Sequence, residues 1–173
     1  LPLRVSPDER WIAVASHSRV RLVDLATGTE AAVLGGPALV TGSVASLAFA
    51  GDARTLALGT DSGKVVLLDV STRTPRRVIE AQAGPVLAVA LSPDGRTLAA
   101  GGAGHTLRLF DVVTGEERVA VSTAHAASVD GLDFSRAGDA LLSASGDATL
   151  RQWDRAGRPG SVRLLDRPIA AVV

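Results

Sequence analysis

The chain has 173 residues, 46% of them hydrophobic, which is enough apolar side chain for a packed core and too much for a disordered chain. Its 18 basic and 18 acidic residues give a formal net charge of zero, so the composition does not favour a nucleic-acid partner or an acidic membrane surface. Cysteine is absent, which excludes disulfides and thiolate metal sites, and no apolar run is long enough to span a bilayer. We therefore expect a globular, cytoplasmic protein without a membrane segment.

The predicted elements are short strands separated by turns, and helical periodicity is absent throughout. The third stretch of the chain is typical, with strands predicted at 86–92, 97–102, 106–111 and 117–122. Turns rich in Pro, Asp and Gly separate these strands, as at 93–96 and 112–115. The same pattern divides the whole chain into units at about 1–40, 41–82, 83–125 and 126–167, and PIAAVV at 168–173 matches PVLAVA at 85–90 as the start of a fifth unit.

An internal repeat sets these units. An apolar residue followed by aspartate recurs every 42 to 45 residues, at Asp24, Asp69, Asp111 and Asp154. Two further sets of apolar positions, which begin at Val5 and Ile12, keep the same intervals. Four short strands in a repeat of this length are typical of a β-propeller blade.

The fourth unit resembles the WD-repeat consensus nearly end to end. That consensus has a Gly-His pair, an apolar strand, a turn, a Ser-rich strand, an aspartate in a tight turn, and a strand that ends in Trp-Asp. Here the segments AHAASVDGLDFS at 124–135 and LLSASGDATLRQWD at 141–154 follow it. We therefore identify the chain as resembling the WD-repeat β-propeller family, and the abundant arginine beside a single lysine, Lys64, indicates a bacterial member.

The resemblance implies an all-β fold: one partial WD-repeat β-propeller over residues 1–173, with four blades of four antiparallel strands plus the first strand of a fifth. Propellers close into rings that leave no open edge, and in this family the ring commonly has seven blades. We expect the chain to be part of a larger ring, because it contains no methionine and so does not begin at a translation start. The alternative is self-association, in which two copies complete an eight-bladed ring.

The resemblance also implies a buried hydrogen-bond network of His125, Ser143, Asp147 and Trp153 in the fourth unit. A buried indole N–H needs an acceptor, and an imidazole that bridges a serine and an aspartate satisfies several polar groups at once. The other three units lack the full set; the third has Gln82, Ala100, Gly104 and Phe110 at these places. We expect those blades to depend on apolar packing.

Three chemical interpretations, a catalytic triad, a metal site and a phosphate-binding loop, are weaker than a structural role for the residues concerned. His125, Ser143 and Asp147 have the residue types of a catalytic triad, but the structural network accounts for their order and spacing. The three histidines, at 17, 105 and 125, lie in different units without metal-ligand spacing. The glycine-rich run at 101–105 precedes a strand, whereas a phosphate-binding loop precedes a helix. We predict no catalytic residue, no metal and no cofactor.

By the same resemblance, we expect a non-catalytic scaffold that binds protein or peptide partners through its loops. The candidate contact residues lie in turns: His17, Arg19, Leu39, Val40, Asp61, Lys64 and His105. The link at 34–43 is the favoured contact loop, with Leu39 and Val40 expected on its surface. Arg73, Arg76 and Arg77 form a basic cluster, interpreted as a solvated edge or a contact for an anionic partner.

Two other functional classes stay open. The chain is alternatively the sensor or regulatory propeller of a larger enzyme, such as a kinase, protease or NTPase. It is alternatively a propeller that binds a small ligand or a glycan, a class that repeats polar and aromatic residues in every blade. The aromatic content of 3% and the differing turns count against the last class.

Overall fold

The computed structural model describes residues 2–36, 40, 42–122 and 124–164, and every regular element in them is a β-strand. Blade 1 comprises β1 (Leu3–Val5), β2 (Trp11–Ser16), β3 (Arg19–Asp24) and β4 (Glu30–Gly35). Blade 2 comprises β5 (Val44–Phe49), β6 (Thr55–Thr60), β7 (Lys64–Asp69) and β8 (Thr74–Glu80). Blade 3 comprises β9 (Val86–Leu91), β10 (Thr97–Gly102), β11 (Leu107–Asp111) and β12 (Glu117–Val121). Blade 4 comprises β13 (Val129–Phe134), β14 (Ala140–Ser145), β15 (Thr149–Asp154) and β16 (Pro159–Leu164).

Each blade is a four-stranded antiparallel sheet whose strands pair in chain order. This confirms the predicted all-β propeller with four strands in each blade. The expected first strand of a fifth blade, 168–173, lies outside the described residues. Among the residues described, no helix is long and apolar enough to cross a membrane.

Local side-chain bonds stabilise the first hairpin of blades 1, 3 and 4. In blade 3 the Ser92 hydroxyl donates to Asp94 Oδ1 at 2.5 Å, and Ser92 Oγ accepts the N–H of Thr97 at 2.9 Å. The serine thus holds both the turn aspartate and the first residue of the next strand, as expected for a serine in a turn. Ser6 and Ser135 do the same in their blades.

Neighbouring blades pack small side chains against large ones. Three buried clusters lie at the three junctions, one between each pair of consecutive blades. In each, the second strand of the earlier blade presents alanine, and the later blade presents a larger pair from its second and third strands. The pairs are Leu56 and Leu68, Leu98 and Phe110, and Leu141 and Trp153.

Blade 1 and blade 4 each have one face that no other described residue covers. Leu3 and Val5 on β1 are 49% and 47% exposed, and Leu142 on β14 is 47% exposed. The corresponding faces inside the array are almost completely buried, as at Leu98 and Ala99. Blade-to-blade contact therefore supplies most of the burial in this fold.

Gly59 on β6 lies where blades 2 and 3 meet. A Cβ atom built on it would overlap Ser46 Oγ, which donates to the Val86 carbonyl, and would lie 2.8 Å from Val86 Cγ1 and 2.9 Å from the Val86 carbonyl oxygen. We expect Gly59→Ala to lower the free energy of unfolding by about 1–3 kcal/mol, because backbone of the next blade must move. Urea unfolding followed by circular dichroism measures this loss.

Gly84→Ala is the matched control, since a Cβ there meets only Ala103 Cβ, at 3.9 Å. The two variants add the same methyl group, so equal stabilities would contradict the close approach of the two blades at Gly59.

Candidate functional site

The loops of the array gather at two opposite ends of the blades. At one end, the turn between the second and third strands bonds to the link between blades. Examples are Val44 N to His17 O at 2.8 Å, Asp61 N to Ser43 O at 3.0 Å and Ala81 N to Gly63 O at 3.0 Å. We call this end the linker face. It is made of the turns between the second and third strands, called the second turns, and of the described residues of the links, at 36, 40, 42–43, 81–85, 122 and 124–128.

At the other end, the turn between the first and second strands bonds to the turn between the third and fourth. The bonds are Leu25 N to Arg10 O at 2.9 Å, Val70 N to Arg54 O at 2.8 Å and Val112 N to Arg96 O at 3.0 Å. We call this end, which includes the turns at 6–10, 50–54, 92–96 and 135–139, the hairpin face. Loops carry most binding residues on rigid scaffolds, so these two faces are the candidate sites.

Blade 4 brings together the four side chains of the predicted network near the linker face. Trp153 Nε1 donates to Ser143 Oγ at 2.8 Å, and Ser143 Oγ lies 2.7 Å from His125 Nε2. His125 Nδ1 lies 3.1 Å from Asp147 Oδ2. Ser143, Trp153 and His125 are only 1%, 2% and 5% exposed.

One proton arrangement satisfies every group in this chain of bonds. The indole N–H donates to Ser143 Oγ, the Ser143 hydroxyl donates to His125 Nε2, and His125 Nδ1–H donates to Asp147. His125 is therefore neutral, with its proton on Nδ1. A second proton on Nε2 would leave the Ser143 hydroxyl without its acceptor.

Burial lowers the pKa of His125 below its usual 6.5, although the Asp147 carboxylate acts in the opposite direction. Burial by itself would raise the pKa of Asp147. Hydrogen bonds from the Thr149 hydroxyl, the backbone N–H groups of Ala126 and Thr149, and His125 outweigh it and hold that pKa well below 3.8. The pair is thus a neutral imidazole beside an ionised carboxylate at neutral pH.

Thr149 also belongs to the network, although the sequence pattern did not predict this role. Its hydroxyl donates to Asp147 Oδ1 at 2.6 Å, and its Oγ1 lies 2.9 Å from His125 Nδ1. The available signal was its position two residues after Asp147, from which a short hydroxyl side chain reaches back to a carboxylate.

The burial of Ser143 argues against a catalytic triad. Its oxygen accepts the indole N–H and its proton is directed at His125, so the hydroxyl is fully engaged within the core. A nucleophile needs access to a substrate, and a serine that is 1% exposed lacks it. In the described part of the chain, no three His, Asp or Glu side chains come together as a metal site.

The other blades place apolar side chains where blade 4 has Trp153. Leu68 and Phe110 are almost fully buried in their clusters, and Val23 is half-buried on the open face of blade 1. Gln82 stands in blade 3 where blade 4 has His125; its Nε2 donates to the Pro85 carbonyl at 2.5 Å. Blade 3 therefore has one side-chain hydrogen bond within its link, but it has no serine and no indole at the other positions of the network.

The four blade aspartates cap the last turn of their blades. Each accepts two backbone N–H groups of that turn on one carboxylate oxygen: Asp24, Asp69, Asp111 and Asp154. In the last three, the second oxygen pairs with an arginine of the outer strand or of the turn: Arg76, Arg118 and Arg158. These aspartates therefore fix the hairpin face.

Hydrogen bonds from Ser71 and from the Thr72 N–H, together with Arg76, hold the pKa of Asp69 well below its usual 3.8. Arg77 donates to the Val113 carbonyl at 2.8 Å. Two of the three arginines in the predicted basic cluster are thus already engaged, and the third, Arg73, makes no guanidinium bond with a described residue.

The structure separates the candidate contact residues into two groups. His17 and His105 lie exposed in second turns on the linker face, and Arg19 is the exposed first residue of β3 beside the first of these turns. Asp61 and Lys64 lie there too but have internal partners: Asp61 accepts the Ser43 N–H at 2.9 Å, and Lys64 pairs with Glu80 at 2.8 Å.

The prediction for the favoured contact loop at 34–43 is wrong at one residue. Val40 is 1% exposed and packs in the cluster between blades 1 and 2, so the expectation that it lies on the surface is wrong. Its N–H donates to the Gly36 carbonyl at 2.8 Å. Leu39 lies outside the described residues.

The network makes Trp153 a sensitive position. We expect Trp153→Phe to lower the free energy of unfolding by about 1–3 kcal/mol, because Ser143 loses its indole donor and the smaller ring fills the site incompletely. Urea unfolding measures the difference. Trp11→Phe is the control: Trp11 is half-buried, and the Arg10 guanidinium lies 4.7 Å from the centre of its ring. Equal losses in the two variants would contradict a special role for the buried indole.

His125 predicts a pH dependence near neutrality. Its pKa in the folded chain is below the 6.5 of the unfolded chain, so between these values the unfolded state binds a proton that the folded state does not. The free energy of unfolding should therefore fall as the pH drops below about 6.5, and this loss should level off below the folded pKa. Urea midpoints between about pH 8 and pH 5 test this, with His125→Gln as the comparison because Gln82 already fills this place in blade 3. A His125→Gln slope as steep as the parent's would contradict the assignment.

Comparison with known proteins agrees with this geometry. Residues 73–111 and 116–154 match the family model "WD domain, G-beta repeat". Each match begins at or near the outer strand of one blade and ends with the third strand of the next. The repeat unit therefore joins two neighbouring blades.

No curated protein matches the chain. Among solved structures, a chain of the "Crystal Structure of Mitotic Checkpoint Complex" superposes with a TM-score of 0.87 at 19% identity, over 98% of this chain. This chain spans 52% of the length of that one, and the likeness shows the shared fold. With two repeats that match this model and four propeller blades, the chain has the repeats and the fold of a WD-repeat β-propeller.

Proposed function

We propose that this chain is a non-catalytic interaction module that binds protein or peptide partners through the loops of its linker face. WD-repeat propellers are in general protein-interaction scaffolds, and this chain has their fold and two of their repeats. The side chains with reactive residue types in blade 4 are engaged within the core, which supports a structural role for them.

The observation that carries the proposal is the backbone of the second turns. His17 and His105 have φ of 52° and 59°, in the left-handed region that favours glycine. At the place of His105, blade 2 has Gly63, with φ of 85°, and blade 4 has Ala148, with φ of 63°. Two exposed imidazoles are therefore kept where glycine would relieve strain, and such strain is concentrated at functional sites.

The surroundings of these residues support a contact surface of mixed chemistry. His17 and Arg19 line a cavity of about 580 Å³ together with Val33. The Arg21 side chain at its edge pairs with Glu30 at 2.5 Å. Cationic and apolar atoms thus lie side by side on a concave surface, as at many peptide-binding sites.

The test is binding of the labelled full chain to a peptide array, with His105→Gly and Arg19→Ala as variants. We expect each to lower the array signals about fivefold or more, since a central contact typically contributes 1 kcal/mol or above. His105→Gly also relieves the positive φ, so its urea midpoint should not fall. Arg96→Gln, an exposed arginine on the hairpin face, is the matched control. Array signals that neither variant changes, or no signal above background, would contradict the proposal.

A further inference from the structure

The junction between blades 1 and 2 differs from the other two junctions on the hairpin face. Between blades 2 and 3, Arg77 of β8 crosses to the last turn of blade 3; a Cβ built on Gly115 would lie 2.6 Å from Arg77 Cδ. Between blades 3 and 4, Val119 of β12 does the same against Gly157, at 2.5 Å. A large outer-strand side chain thus fills each of these two gaps against a glycine.

At the junction between blades 1 and 2 the outer strand has the small side chain and the turn has the large one. The register places Ala32 beside Leu22, as it places Arg77 beside Leu67 and Val119 beside Leu109. The turn residue that corresponds to Gly115 and Gly157 is Arg73, with φ of 62°. No large side chain of β4 fills the gap.

A cleft of about 510 Å³ remains at this junction. Its floor is apolar and its rim carries charged and polar side chains. The floor is formed by Trp11, Leu22, Ala31, Ala53 and Val70, and the rim by Asp8, Arg10, Asp52, Arg54, Ser71 and Arg73. We refer to these residues as the blade 1–2 cleft.

The cationic groups on the rim are available to a ligand. The guanidinium groups of Arg54 and Arg73 make no hydrogen bond or ion pair with any described residue, and that of Arg10 lies 4.7 Å above the Trp11 ring. The two carboxylates are partly occupied by their own turns: Asp8 accepts the Ser6 hydroxyl at 2.5 Å, and Asp52 accepts the Arg54 N–H at 2.9 Å. Arginine without a partner beside an apolar floor fits a carboxylate next to an apolar side chain.

Arg73 gives a second, independent indication. It holds a left-handed backbone conformation that Gly28, Gly115 and Gly157 adopt at no steric cost in the other three blades. A long cationic side chain kept at such a position, beside an open cleft, indicates a binding role.

We propose that the blade 1–2 cleft binds an acidic segment of a protein partner, with one apolar side chain on the Trp11 floor and a flanking carboxylate on Arg54 and Arg73. Two carboxylates on the same rim disfavour a doubly charged phosphate and favour a singly charged group. This second contact site lies on the hairpin face, opposite the linker face. It rests on the proposed function only in that both sites bind a protein partner.

The experiment is a selection of random 12-residue peptides displayed on phage against the full chain, repeated with Arg73→Gly and with Arg54→Gln. We expect a class of peptides that combine acidic and apolar residues to be enriched on the parent and depleted on both variants. Arg73→Gly installs the residue that the three sister turns use, so it should fold at least as well as the parent. Arg96→Gln, the blade 3 counterpart of Arg54, is the control that should retain the class.

One selected peptide, labelled with fluorescein, then gives affinities by fluorescence anisotropy. Each cleft variant should weaken binding about three- to tenfold, as for a partly exposed arginine–carboxylate pair, and added salt should weaken parent binding. The cleft proposal is overturned if no acidic class is enriched, or if that class binds Arg73→Gly and Arg54→Gln as tightly as the parent. Peptides that depend on His105 and Arg19 alone would leave the linker-face function standing while the cleft proposal fails.

Discussion

Contact between neighbouring blades is the constraint on which the rest of the structure depends. Each blade has two apolar faces, and its second strand presents small side chains to the blade that follows. Ala57 and Ala99 are fully buried because Leu98 and Leu141 of the next blades lie in the same clusters. A shift of one residue in any strand would exchange its two faces and place large side chains where only alanine or glycine fits. Register, blade spacing and the position of every loop follow from this size match.

The buried network shows how one blade adds polar specificity to that packing. Trp153 fills the same place as Phe110 and Leu68, but its indole N–H requires an acceptor in the core. Ser143, His125 and Asp147 supply a continuous path from that N–H to a carboxylate that is itself held by Thr149 and the Ala126 N–H. The network connects residues 125–126 of the link to two strands of blade 4. The other blades make the same connection mainly through backbone bonds, with Gln82 as a reduced version in blade 3.

Residues outside these packing contacts differ most between blades. The turn positions with positive φ hold glycine in some blades and Glu9, His17, Ala53, Arg73, His105 or Ala148 in others. At the hairpin face, Arg77 fills the junction between blades 2 and 3, and Val119 fills the junction between blades 3 and 4. The smaller Ala32 leaves a cleft between blades 1 and 2. The two proposed contact sites lie at such departures from the repeat, one on each face. A repeated scaffold can carry different chemistry at each junction because apolar packing between strands supplies most of the contact between its blades.

The sequence by itself determined the strands, the four repeats and four members of the blade 4 network, but not Thr149. Strand and turn chemistry is local, and the spacing of Asp24, Asp69, Asp111 and Asp154 repeats it four times. The tertiary structure decided what depends on neighbours distant in sequence. Val40 is buried because blades 1 and 2 close over it, Arg76 and Arg77 are engaged by Asp69 and Val113, and Arg73 is left beside a cleft. Each of these outcomes is set by a group that another strand or another blade contributes, so none follows from the local sequence pattern alone.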